Sequence, residues 1–154
     1  MPVLTIDKSY PANFGTNPGL SFTPFGENLP NSTLVDHTVV SSNKINTRVL
    51  KLLDDFETLN PNWDGEDAKA PSKDVIFRVR NLVRLLSKTG QPVFHTAPGP
   101  NGEVMIDIRN EDQSLEIIFY SQKAFFVKFP YSGVPEQGKF DEENISDLLS
   151  WLNG

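Results

Sequence analysis

The chain has 154 residues, with 14 Lys and Arg against 20 Asp and Glu, a formal net charge of −6, and no cysteine. That length fits one domain able to bury a core without staples, and the missing cysteines remove disulfides, thiolate nucleophiles and cysteine metal sites together. The acidic balance repels a polyanion and argues against nucleic acid as a partner. No apolar run approaches the roughly 18 residues of a spanning helix, and no basic-then-apolar leader opens the chain, so the expected location is cytoplasmic, with no membrane involvement.

Residues 1–41 read as an irregular arm. Pro2, Pro11, Pro18, Pro24 and Pro30, with Gly15, Gly19 and Gly26 between them, leave no room for a long helix or a central strand. Phe14, Leu20, Phe22, Phe25, Leu34 and Val35 make it too apolar for a solvated linker. Short strands are expected near Val3–Ile6 and Thr38–Val40. The arm lies either across its own domain or on another subunit.

Residues 42–154 read as a single α+β domain. Ser41, Ser42 and Asn43 are capping-type residues, followed by Ile45, Val49, Leu52, Leu53, Phe56 and Leu59 on one helical face. Pro61 should end this helix near Leu59. Ser72 caps a second helix with Asp74 in its first turn and the stripe Val75, Ile76, Val79, Leu82, Val83 and Leu86, closed by Gly90 and Pro92. Four short strands follow: Val93–Thr96, Glu103–Arg109, one through Leu115, Ile117 and Phe119, and one through Phe125, Val127 and Phe129. Gly99-Pro100-Asn101-Gly102 is the hairpin turn between the first two. Period-two alternation with short connections means an antiparallel meander of three to five strands with one face buried under the helices. Tyr131 to Lys139 reads as a loop. Asp141 caps a last helix whose Ile145, Leu148, Leu149 and Leu152 face the core, with Trp151 beside them.

The densest chemistry sits between the first two helices, in Asn60-Pro61-Asn62-Trp63-Asp64-Gly65-Glu66-Asp67-Ala68-Lys69-Ala70-Pro71-Ser72. Asn60, Asn62, Asp64 and Gly65 match the opening positions of a calcium loop, but Pro71 stands where a bidentate Glu belongs. A structural reading competes: Asp64-Gly65 makes a turn, Asx side chains hold backbone donors, and Trp63 pegs the loop into the core. Elsewhere, His37 and His95 are the two histidines, and Ser32, Ser41, Ser121 and Ser132 lack a nucleophile-elbow setting. No His-x-x-x-His spacing suggests a metal centre. Arg78, Arg80, Arg84, Lys73 and Lys88 read as a solvated helix face. Glu136, Asp141, Glu142, Glu143 and Asp147 could together mimic a phosphate backbone, but Asp141, Glu142 and Glu143 are already explained as helix-terminus complements, and that reading is favoured.

The run Asn62-Trp63-Asp64-Gly65, then Ala68 and Pro71-Ser72 at the head of a helix, resembles a motif of small bacterial proteins without an established activity. In those a Trp-Asp-Gly loop precedes a helix, a proline-rich step and a hairpin. The resemblance covers about residues 45 to 120 and implies a bacterial or phage-borne accessory protein, such as a partner in a toxin–antitoxin, immunity or inhibitor system. The functional expectation is a non-enzymatic protein-binding module using the central loop (Trp63, Asp64, Glu66 and Asp67), the arm or an exposed part of the sheet, with no catalytic, metal or cofactor site assigned. Its partner is another protein, or a second copy through the arm. The alternative is a small-ligand or metal-assisted enzyme centred on Asp64, Glu66, Asp67 and His95.

Overall fold

The computed structural model describes residues 37–154, with side chains from Ser41 onward. The expected arm up to residue 36, including its strand near Val3–Ile6, lies outside the described residues.

Helix α1 (His37–Glu57) starts ahead of the expected Ser41-Ser42-Asn43 cap and takes in Thr38–Val40, expected as a strand. The reason lies in which face is buried. Ser42, Asn46, Val49 and Leu53, spaced at helical intervals, are all covered, Asn46 and Leu53 completely. Ser42 is therefore an interior helix residue and not a cap, and Asn46 lies on the same buried face. The Ser42 hydroxyl donates to Gly90 O at 2.7 Å. Asn46 Nδ2 donates to Gln91 O at 2.9 Å and Ser87 Oγ at 3.1 Å, and its Oδ1 accepts from Val93 N at 2.8 Å. This polar stripe turns the helix so that Ile45 and Leu52, expected in the core, are 38% and 43% exposed.

Helix α2 (Lys73–Lys88) follows the sequence reading closely. The Ser72 hydroxyl accepts from Val75 N, and the expected stripe is buried. At the other end Gly90 adopts φ 74°. Gly90 N–H donates to Ser87 O and Gln91 N–H to Leu86 O, the paired bonds of a glycine-terminated helix. Arg80 clamps the two helices through Asp54 at 2.7 Å and Glu57 at 2.8 Å.

The sheet is a five-stranded antiparallel meander in sequence order: β1 (His95–Pro98), β2 (Val104–Asn110), β3 (Gln113–Phe119), β4 (Ala124–Phe129) and β5 (Glu136–Lys139). Val104, Ile106, Ile108, Leu115, Ile117 and Phe119 form the buried face. Two expectations fail here. The ladder pairs Ile117 with Phe126 and Phe119 with Ala124, and paired residues share a face. Phe125, Val127 and Phe129 therefore point away from the helices, while Ala124, Phe126 and Lys128 point toward them. Lys128 is tolerated on that side because its ammonium lies over the Phe126 and Trp151 rings and 3.5 Å from Glu136. The stretch Tyr131–Lys139, expected as a loop, contains β5. Glu136-Gln137-Gly138-Lys139 has no apolar alternation to announce a strand. Gly138 instead gives the Phe126 ring bare backbone to lie on, since a Cβ there would fall 2.6 Å from Phe126 Cζ, an aromatic cover for a strand glycine.

Asp141 caps a short 3-10 turn (Glu142–Asn144) by a reciprocal capping box with Asn144, and α3 (Ile145–Asn153) follows. The fold is thus α+β: α1 packs along α2, and both α2 and α3 seat on β2 and β3. No helix among the described residues is long and apolar enough to cross a membrane.

Candidate functional site

The central loop is closed on itself. Asp64 Oδ1 accepts from Glu66 N at 2.8 Å and Ala68 N at 3.1 Å, and Asn62 Oδ1 accepts from Asp67 N at 2.8 Å. Asn62 and Asp67, both at φ 65°, and Gly65, at φ 80°, supply the left-handed turns. These are conformations that Gly, Asn and Asp adopt most readily. Trp63 is half-buried and not the core peg expected; its Nε1 donates to Lys69 O within the same loop at 3.2 Å. The buried anchor is Ala68, 2% exposed. From there Lys69 N donates to Pro100 O at 2.8 Å, and Lys69 pairs with Asn101 in an isolated parallel bridge. The loop therefore stitches the helix pair to the β1–β2 hairpin tip. The oxygens that a cation would need at Asn62 and Asp64 already hold backbone donors. Glu66 and Asp67 are exposed.

His95 is placed elsewhere, on β1, with Asp107 as its cross-strand partner. Among the described residues no hydrogen bond or ion pair joins His95 to Asp64, Glu66 or Asp67, and no three His, Asp or Glu side chains converge as a metal site. His37 opens α1, in the stretch whose side chains are not described.

A charged pair to which the sequence reading gave no role lies on the sheet face turned away from the helices. Phe94 N donates to Asp107 O at 2.8 Å although Asp107 is the ladder partner of His95. Two residues thus oppose one, the geometry of a bulge, which re-aims side chains. It brings the Phe94 ring to 3.8 Å from the Arg109 guanidinium. Arg109 Nε and Nη2 donate to Asp107 Oδ2 at 2.9 and 2.7 Å. The Asp107 side chain is 3% exposed, and its Oδ1 is buried without a hydrogen-bond partner. The sequence signal was available: Asp107 and Arg109 are two apart on one strand, so they share a face.

On the helical side, α2 and α3 do not close over the sheet. Between them run two adjoining hollows. One, of about 190 Å³, is lined by Arg78, Leu82, Leu85, Phe119, Phe140 and Ile145, with Asn81 and Glu142 at its mouth. The other, of about 440 Å³, continues past Leu85 and Ile145 to Thr89, Leu149 and Asn153. Leu85 stands 38% exposed on the ridge they share. Phe119 and Phe140 meet edge-to-face at 5.5 Å to form the floor. Arg78 lies with its guanidinium carbon 5.3 Å from the Phe119 ring centre and donates to Tyr120 O at 3.0 Å.

Comparison with protein-family models, curated proteins and solved structures returned no match.

Proposed function

We propose that this chain is a non-enzymatic protein-binding module that takes its partner in the groove between α2 and α3. The observation that carries the reading is the pair of adjoining hollows, apolar at the base and open to solvent, with an exposed leucine on the ridge between them. Deep apolar pockets with a polar rim are where partner anchor residues bind most strongly. The central loop supports a structural role instead, because Asn62 Oδ1 and Asp64 Oδ1 already accept from its own backbone. The enzyme alternative on Asp64, Glu66, Asp67 and His95 draws no support from the geometry, since the carboxylates and the imidazole are not joined. The likeness of the Asn62-Trp63-Asp64-Gly65 loop to small bacterial proteins supports a narrower version: an accessory protein of a bacterial or phage conflict system, acting by occupying a partner.

The test compares Leu85→Asp with Asp64→Ala. Each is checked for folding by circular dichroism and used to retrieve a partner from the native host, which is then purified and titrated. Loss of binding in the groove variant with retention in the loop variant is the expected outcome. The reverse pattern, with both variants folded, would assign recognition to the loop and overturn the proposal.

A further inference from the structure

The groove has a length, a direction and a charge that specify its occupant. One wall is α2 from Arg78 past Leu85 to its C-cap Thr89, and the other runs from Glu142 in the 3-10 turn along α3 to Asn153. Arg78 and Glu142 share one end, and Thr89 and Asn153 line the hollow at the other, so both helices run the same way along it. At 1.5 Å per α-helical residue the wall from Arg78 to Thr89 is about 16 Å long, and with about 2 Å per residue through the 3-10 turn the wall from Glu142 to Asn153 is about 18 Å. Those lengths match about three turns of helix.

Charge supplies the polarity. Two parallel helices place their positive dipole ends at the Arg78–Glu142 end and their negative ends at the Thr89–Asn153 end. An antiparallel third helix opposes both dipoles favourably and brings its own negative C-terminus to the Arg78–Glu142 end. The Arg78 guanidinium there is engaged with Tyr120 O and the Phe119 ring. Glu142 is exposed and has no ion-pair partner among the described residues. A lysine or arginine in the last turn of the incoming helix satisfies its own dipole and Glu142 together, and the chain's net charge of −6 favours a basic ligand.

We infer that the groove receives an amphipathic helix of a partner protein. This helix lies antiparallel to α2 and α3, sets large apolar residues at i, i+4 and i+7 into the two hollows, and carries a basic residue in its C-terminal turn. This inference rests on the protein-binding reading of the same groove and adds the form of the ligand.

The test uses four synthetic peptides of about 16 residues, long enough to span three turns, on the full chain, followed by amide and methyl NMR shifts. The first is an Ala-Lys helix with Leu at i, i+4 and i+7 and Lys in the last turn. The second places Pro mid-sequence, the third has Glu in the last turn, and the fourth reverses the sequence. The expected result is saturable shifts at Leu85, Ile145 and Leu149 with the first peptide, and binding at least tenfold weaker with the proline peptide. Glu142→Lys should weaken the first peptide about fivefold and strengthen the third. Equal binding of the proline peptide, or of the reversed one, would overturn the antiparallel-helix inference while leaving groove binding standing. Absence of shifts at these residues with every peptide would overturn both. Leu85→Asp serves as the control for site, because it places a carboxylate on the ridge without altering a buried position.

Discussion

Asn46 offers the sharpest check on how the helical layer is held. Its side chain is completely buried and ties α1 to three groups at and beyond the end of α2: Ser87 Oγ, Gln91 O and Val93 N. Asn46→Ala removes three hydrogen bonds, each contributing about 1 kcal/mol net. It also strands the Val93 N–H in a buried place, a further cost of about 1–3 kcal/mol. The sum is about 4–6 kcal/mol, a large share of the roughly 5–15 kcal/mol that holds a domain of this size. In urea, with a slope of about 1.5–2 kcal/mol per molar, the midpoint should fall by about 2–4 M. Ser42→Ala removes one bond to Gly90 O and should cost about 1 kcal/mol. Thr47→Ala, at an exposed bond to Asn43 O on the same helix, should stay within about 0.5 kcal/mol of the parent. If Asn46→Ala proves no costlier than Thr47→Ala, the polar stripe does not fix α1 and the argument for its early start fails.

Gly65 and Gly102 both have positive φ, 80° and 84°, but only Gly102 has a close neighbour, because a Cβ added there would stand 3.2 Å from Ala70 O. Gly65→Ala should cost about 1 kcal/mol from backbone strain alone, and Gly102→Ala measurably more, because it also wedges the hairpin tip off the loop; urea midpoints of the two variants give the comparison. Asp64→Ala should lower stability by about 1–2 kcal/mol through two lost backbone bonds, read by thermal unfolding, without changing partner affinity. Tyr120 has its pKa raised above the ordinary 10.0, first by burial and then by the Glu103 charge. The unfolded chain therefore ionises first as pH rises. Stability is present in full below the ordinary value and is lost as pH climbs from there through the raised folded one. Tyr120→Phe should flatten that alkaline decline in urea midpoints measured from about pH 9 to about pH 11.5.

The α+β architecture was legible because its signals are local. Ser72, Gly90 and Asp141 punctuate helices by chemistry that acts within a few residues, and each does so in the structure. The alternation of β2 and β3 likewise declares its own buried face. What escaped was set by partners distant in sequence. Ser42 looked like a cap and Asn46 drew no notice, because their bonds lie more than 40 residues away. Both faces of β4 carry aromatic residues, so only the register with β3 decides that Phe126 goes in and Phe125 out. β5 exists because β4 offers it an edge and a ring. The loop around Trp63 stood out as a distinctive element, and its bonds close its own turns and reach the hairpin tip. The groove could not be read at all, since Leu85, Ile145 and Leu149 carry core-type side chains and only the spacing of α2 from α3 leaves Leu85 exposed and Leu149 half-buried beside the buried Ile145.

The most direct test of the account is a side-by-side titration of the purified partner against the parent chain, Leu85→Asp and Asp64→Ala by calorimetry. The account expects Leu85→Asp to weaken binding at least tenfold while its urea midpoint stays near that of the parent, and Asp64→Ala to bind as the parent does. Parent-like affinity in the folded Leu85→Asp protein would contradict it.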